Sequence, residues 1–182
     1  MQLLVAVVLS AQTTDNHVNK ITPALFKKYP TAKAMAKASV ADITHYIKTV
    51  SYFNAKARHL KAAAEMVDKK FKGVVPDNQK IIQEIPGVGR KSAVAIISNA
   101  YNKNIGIPVD THVIRFAKRF NLSKHADPSK IEQDLLKVIP KKDWKRAAYA
   151  IKEYGRKEGR AQQYKPEEDP LQKVLKNKNR QG

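Results

Sequence analysis

The ten residues EIPGVGRKSA, positions 84–93, place a proline, two glycines and two cations within a single tight turn. They interrupt a pattern of helical apolar spacing on both sides. Upstream, NQKIIQEI (78–85) reads as a short helix. Downstream, KSAVAIISNAY repeats apolar positions at Ala93, Ile96, Ile97, Ala100 and Tyr101, the i, i+3, i+4 spacing of a helix face. Two helices joined by PGVG form a helix-hairpin-helix, spanning about residues 77–101. Gly87 and Gly89 allow positive φ and close backbone approach, so that successive N–H groups can face one anion together. They precede a helix N-terminus, whose dipole also favours an anion. With Val88 between them and Arg90 at the mouth, the turn is expected to grip a phosphate without reading a base.

The same spacing extends outward. The apolar opening LLVAVVLSA is too short to span a bilayer and reads as a buried helix. SVADITHYIKTV begins with a capping-box-like pair, Ser39 and Asp42. NAKARHLKAAAEMVDKKF carries Ala57, Leu60, Ala64 and Val67 on one face and is expected to end at Gly73. DPSKIEQDLLKVI has Asp127 as cap and Pro128 at the first helical position. KDWKRAAYAIKEY is expected to stop at Gly155. Nothing reads convincingly as a sheet, so the fold class is all-α. NKNIGIP, at 102–108, breaks the pattern and marks a seam, giving lobes over 1–103 and 104–165 and a polar, flexible tail over 166–182.

Thirty-five Lys and Arg against 16 Asp and Glu give a formal charge of +19. Such an excess favours polyanionic partners, because clustered cations displace counterions from phosphate backbones. Charge alone does not separate DNA from RNA or an acidic membrane. The absence of cysteine excludes disulfides, thiolate catalysis and Cys-ligated zinc or iron–sulfur centres. The five histidines show no metal-ligand spacing. A cytoplasmic, nucleoid-associated protein is expected.

Lys91 falls in the first turn after the hairpin, where the helix dipole and Arg90 both favour its neutral form. A neutral amine can attack an electrophilic carbon and form a Schiff base; an ordinary surface lysine would merely contact phosphate. Nineteen residues on, in GIPVDTHVIRF, Asp110 stands at the start of another helix. As a cap alone it would contribute roughly 1 kcal/mol. As a rigidly held carboxylate it could stabilise positive charge on a sugar or assist proton transfer. Spacing leaves both readings open.

LLVAVVLSAQTTDNHVNK, YIKTVSYFNAKARHL, IPGVGRKSA and IPVDTHVIRF, in this order and from about residue 2 to Arg156, strongly resemble the endonuclease III family. These are bifunctional DNA glycosylases of the helix-hairpin-helix, Gly/Pro-Asp superfamily. The resemblance implies a two-lobed helical fold with its active site in the cleft between lobes. It also implies Lys91 as nucleophile and Asp110 as catalytic aspartate. Gln12 matches the glutamine that fills the gap left by a flipped nucleotide. The main-chain carbonyls of Gln83, Ile85 and Val88 match those that hold a monovalent cation, Na⁺ or K⁺, against phosphate; no other cofactor is implied. The expected partner is double-stranded DNA carrying a damaged base or abasic site, and the expected state a monomer. The adenine-specific branch has a catalytic Glu within the segment matching VVLSAQ, which is absent here, so oxidised pyrimidines are the implied substrates. A DNA-binding module without catalysis, and a lyase confined to abasic sites, are the competing readings.

Four departures accompany the resemblance. The family's four cysteines, spaced C-x6-C-x2-C-x5-C around a [4Fe–4S] cluster, are replaced at Gly159, Pro166, Asp169 and Leu175. Arg156, Lys157, Arg160 and Lys165 could supply comparable charge to DNA without iron. The sequence starts inside what is normally the second helix, so the family's amino-terminal helix is expected to be missing. Ser51-Tyr52 stands where a Gly-Leu pair usually wedges into the duplex, which makes Tyr52 a candidate stacking residue. Tyr154 replaces a histidine before Gly155-Arg156.

Overall fold

The computed structural model describes residues 1–157 and 164–178, and among these every regular element is helical. The chain divides into two compact units, Met1–Ile105 and Gly106–Gly182.

The first unit holds α1 (Gln2–Leu9), α2 (Asp15–Lys28), α3 (Ala32–Lys37), α4 (Val40–Ile47), α5 (Phe53–Lys69), α6 (Gln79–Ile82) and α7 (Arg90–Ala100). Local chemistry sets many of the boundaries. Thr14, Thr31 and Asn78 each accept backbone N–H bonds at a helix start. Ser39 and Asp42 complete a reciprocal capping box, with Asp42 N–H donating to Ser39 Oγ at 3.0 Å and Ser39 N–H to Asp42 Oδ2 at 3.0 Å. One apolar core joins these helices. Leu4 and Leu9 of α1, Ile43 and Ile47 of α4, Leu60 and Val67 of α5, and Ile96 and Ile97 of α7 lie fully or almost fully buried in it. Each such side chain contributes about 1.5–3 kcal/mol relative to exposure. The amino-terminal apolar run is thus a core helix, with α7 packed against it.

The second unit holds α8 (Thr111–Arg119), α9 (Pro128–Val138), a 3-10 turn (Lys141–Asp143), α10 (Trp144–Lys157) and α11 (Pro170–Lys178). Its smaller core contains Ile107, Val109, Val113, Ala117, Ile131, Leu135 and Ile151. Asp127 caps α9 through Lys130 N–H at 2.9 Å, with Pro128 opening the helix.

Four boundaries differ from the sequence-based expectation. Helix α5 ends at Lys69, short of Gly73, because the next residues form turns that close at Gly73 (φ +83°). Helix α6 covers only Gln79–Ile82, and the rest of NQKIIQEI winds into successive turns. Part of the stretch expected to be a flexible tail is α11, with buried Asp169 immediately before it.

Helix α10 runs through Gly155 to Lys157. Gly155 is there because of what packs on it. A Cβ added at 155 would lie 2.3 Å from His112 Nδ1, 2.9 Å from its Cγ and 3.0 Å from its Cβ. These are atoms near the root of the side chain, which cannot swing clear cheaply. The glycine costs α10 about 1 kcal/mol in helix propensity, and in exchange α8 and α10 approach closely. Gly155→Ala is therefore expected to destabilise the protein by about 1–3 kcal/mol despite alanine's better propensity. Thermal unfolding of the variant checks this, and a rise in Tm would contradict it.

Candidate functional site

The hairpin lies between α6 and α7, and four backbone hydrogen bonds shape it and its approach. Gln83, Glu84, Ile85 and Val88 N–H donate to the carbonyls of Gln79, Ile81, Ile82 and Ile85. Ile85 and Val88 are buried, which fixes the turn to the core and leaves Gly87, Gly89 and Arg90 exposed. Gly87 adopts φ +83°, and a Cβ there would meet His59 Cβ at 3.2 Å and Val8 Cγ1 at 3.3 Å. It therefore serves both as a left-handed turn and as a close approach to α1 and α5. Gly89 departs from expectation: its φ is −85° with ψ 179°, an extended helix N-cap, and nothing lies within 4 Å of a Cβ there. Its backbone requires no glycine; the open space in front of α7 is what it preserves. Asp77 pairs with Lys103, and Tyr101 OH donates to Val75 carbonyl, so the segments entering and leaving the motif are tied together.

Lys91 follows Arg90 at the start of α7 and is exposed. Four exposed residues of this unit occupy left-handed backbone without being glycine: the two site candidates Gln12, φ 54°, between α1 and α2, and Tyr52, φ 56°, at the N-cap of α5, together with Lys72, φ 51°, and Asn102, φ 51°, in the segments after α5 and α7. Left-handed backbone costs a non-glycine residue roughly 1–2 kcal/mol, and such strain clusters where function requires it.

In the second unit, Asp110 caps α8. One oxygen, Oδ1, accepts from both His112 N–H at 2.9 Å and Val113 N–H at 3.0 Å. Among the described residues its Oδ2 accepts no hydrogen bond. Cap and chemical carboxylate are therefore compatible: one oxygen holds the rotamer and the other is left to act. His112, next in the motif, packs on Gly155 and takes a hydrogen bond on Nδ1 from Arg115 at 3.1 Å. A guanidinium can only donate, so Nδ1 is the acceptor.

Arg156 and Lys157 lie exposed in the last turn of α10, with Arg156 Nη1 donating to Glu153 at 3.1 Å. Lys165 pairs with Glu168 at 2.7 Å. Gly159 and Arg160 lie outside the described residues. The donor chemistry of this region does not fit an iron–sulfur cluster: the sequence has no cysteine, and the described residues hold no group of three or more His, Asp or Glu side chains arranged for a metal. Asp169, at one of the positions matching a cluster ligand, is 2% exposed and committed elsewhere. Tyr154 and Tyr164 hydroxyls both donate to its Oδ2, the latter at 2.8 Å, and its Oδ1 accepts Leu171 N–H at 2.9 Å. Arg119 donates to Tyr154 OH at 2.9 Å and stacks over the Tyr164 ring, 3.3 Å from its centroid. This network joins α8, α10 and the start of α11.

Burial, followed by the bond to Asp169, pushes Tyr154 up to about 12 against the opposing pull of Arg119. Burial raises the Asp169 carboxyl, but the Tyr154 and Tyr164 hydroxyls and the backbone N–H groups of Leu171 and Gln172 together more than offset it and hold the group below the usual carboxylate range. A depressed Asp stabilises the fold above its unfolded pKa of about 4, and that contribution is lost as pH falls through the folded value. A raised Tyr contributes below about 10 and loses that contribution as pH rises toward 12. Asp169→Ala is expected to cost about 2–3 kcal/mol at neutral pH. In thermal melts against pH, its deficit relative to the parent should shrink on acidification below about pH 4. A deficit independent of pH would contradict the ionised network.

Against this geometry, residues 5–141 match the model of the HhH-GPD superfamily base excision DNA repair protein. Endonuclease III of Synechocystis is 42% identical over 156 residues, covering 86% of this chain and 71% of that protein. Endonuclease III of Bacillus subtilis is 33% identical over 174 residues, covering 93% and 78%. A solved trapped endonuclease III–DNA covalent intermediate superposes with a TM-score of 0.88 at 36% identity, covering 93% of this chain and 79% of that one. The fold is shared more distantly, at 23% identity and a TM-score of 0.81, with a thermostable thymine-DNA glycosylase. The chain belongs to the HhH-GPD superfamily of base excision DNA repair proteins.

Sequence reasoning missed three features: Lys56, 5% exposed; the Arg119–Tyr154–Tyr164–Asp169 network; and the His112–Gly155 contact. An unpaired lysine inside an apolar helix face, at Lys56 between Ala55 and Ala57, was the one available signal.

Proposed function

We propose that this chain is a bifunctional DNA glycosylase and abasic-site lyase acting, as a monomer, on oxidised pyrimidines in double-stranded DNA. The observation that carries the reading is the divided carboxylate of Asp110: Oδ1 is spent on its helix while Oδ2 accepts no bond among the described residues. Within this family, that geometry fits a group set to stabilise charge rather than a cap alone.

The damaged base is extruded from the stack, with Gln12 filling the gap and Tyr52 stacking against the opened duplex. The hairpin backbone at Gly87, Val88 and Gly89 seats a phosphate, and Arg90 adds a cation. Main-chain carbonyls of Gln83, Ile85 and Val88 suit a monovalent cation; Ile85 carbonyl already accepts Val88 N–H at 3.0 Å but keeps a second lone pair. Arg156 and Lys157 add phosphate contacts. Neutral Lys91 Nζ attacks C1′, the C1′–N glycosidic bond breaks, and the base leaves with a proton. The C1′–O4′ bond then breaks to open the sugar ring, the remaining amine proton passes to O4′, and a Schiff base forms between Nζ and C1′. Loss of a C2′ proton then expels the 3′ phosphate by breaking C3′–O, and water hydrolyses the imine to release Lys91. Asp110 stabilises the positive charge that develops on the sugar.

Incubation with duplexes carrying thymine glycol or an abasic site, with borohydride present, tests this. Trapped adducts on both support the proposal. Trapping on the abasic duplex alone reduces it to a lyase, and tight binding without adduct or strand cleavage overturns it.

A further inference from the structure

Lys56 is a buried cation whose burial lowers its pKa, and it lies in the first turns of α5, where the helix dipole does not favour a positive charge. Such a group persists when its donors are fully used. Its Nζ donates to Leu9 carbonyl at 2.8 Å, Ala11 carbonyl at 2.6 Å and Thr13 Oγ1 at 3.1 Å. An ammonium has three protons, and all three go to one loop.

The positions of those acceptors matter. Leu9 ends α1, so its carbonyl is one that the helix leaves unsatisfied. Ala11 and Thr13 stand on either side of Gln12, the exposed residue held at φ 54°. Strained backbone survives only where its surroundings over-determine it, and Lys56 grips the chain immediately before and after the strain. Lys56 also sits four residues after Tyr52, to whose carbonyl its own N–H donates at 3.0 Å. One side chain therefore connects the turn that presents Tyr52 to the loop that presents Gln12.

We infer that Lys56 is a positioning residue for base extrusion, fixing Gln12 in its left-handed conformation at a set distance from Tyr52 so that both side chains enter the duplex as one rigid wedge. The inference rests on the roles of Gln12 and Tyr52 under the proposed function. Simple capping of α1 would require only Leu9 and Ala11 carbonyls; the hydroxyl of Thr13, beyond Gln12, lies outside that requirement.

Lys56→Met keeps the length and apolar stem and removes the ammonium. In single-turnover base removal from a thymine glycol duplex, Lys56→Met and Gln12→Ala are each expected to slow the reaction about tenfold, and the double variant no further than the slower single. Fluorescence of 2-aminopurine placed beside the lesion, which reports unstacking, should fall in both singles alike. Thr13→Val removes one acceptor without touching the lysine; about threefold slowing, absent in the Gln12→Ala background, is expected, and this cycle decides the question if Lys56→Met does not fold. Rates that multiply, or an unchanged 2-aminopurine signal with only a lowered Tm, overturn the inference while leaving the proposed function intact. Absence of any adduct with the parent protein would overturn the proposed function instead.

Discussion

Lys91→Gln is expected to abolish the borohydride-trapped adduct on both thymine glycol and abasic duplexes, and to slow strand cleavage by about a thousandfold or more. The size of the loss follows from covalency: without an amine there is no Schiff base, and elimination loses its electron sink. The substitution is well suited to isolating chemistry. Lys91 is exposed at the start of α7, so no core is disturbed. A neutral side chain in that first turn relieves a cation facing the positive end of the dipole, worth about 0.3–1 kcal/mol, so Tm should hold or rise slightly. Duplex affinity separates nucleophile from phosphate contact. A lysine bound to phosphate would reduce the slope of log affinity against log salt by about one on removal. Loss of adduct with affinity and salt slope retained identifies the nucleophile; persistent adduct in the variant would falsify the assignment.

How much of this was legible in the sequence depended on distance along the chain. Ser39 with Asp42, Asp127 with Lys130, and Asp110 with His112 and Val113 bond across two or three residues, so residue type at a spacing carried the structure. The hairpin was legible for the same reason, although only Gly87 of its two glycines has the positive φ that the pattern suggested. What escaped was long-range. Lys56 reaches acceptors more than 40 residues away, so its place on an apolar helix face hints at burial while leaving its partners unread. Gly155 reads as a helix terminator until His112 is seen to occupy its Cβ position. Asp169 reads as part of a charged tail, since its hydroxyl partner Tyr154 lies 15 residues before it and Arg119 35 residues before Tyr154. Those contacts tie α8, α10 and the start of α11 together through four side chains, Arg119, Tyr154, Tyr164 and Asp169.

Asp110→Asn is expected to lower turnover by about 10²–10⁴-fold while changing stability by less than about 1 kcal/mol and duplex affinity by less than about tenfold. The two effects separate because the carboxylate performs two tasks with two different atoms. Asparagine caps helices nearly as well as aspartate, and its amide oxygen can replace Oδ1 in accepting from His112 and Val113 N–H. In that rotamer the NH₂ group takes the place of Oδ2. A neutral donor then stands where a negative acceptor had been, and positive charge developing on the sugar loses its counterion. Asp110→Ala provides the contrast: it loses the cap as well, so an additional 0.5–2 kcal/mol, roughly, should appear in thermal unfolding. Equal losses of stability in the two variants, or an Asp110→Asn protein whose affinity falls as far as its turnover, would show that the side chain serves α8 and little else. Full retention of turnover in Asp110→Asn would remove Oδ2 from the chemistry altogether.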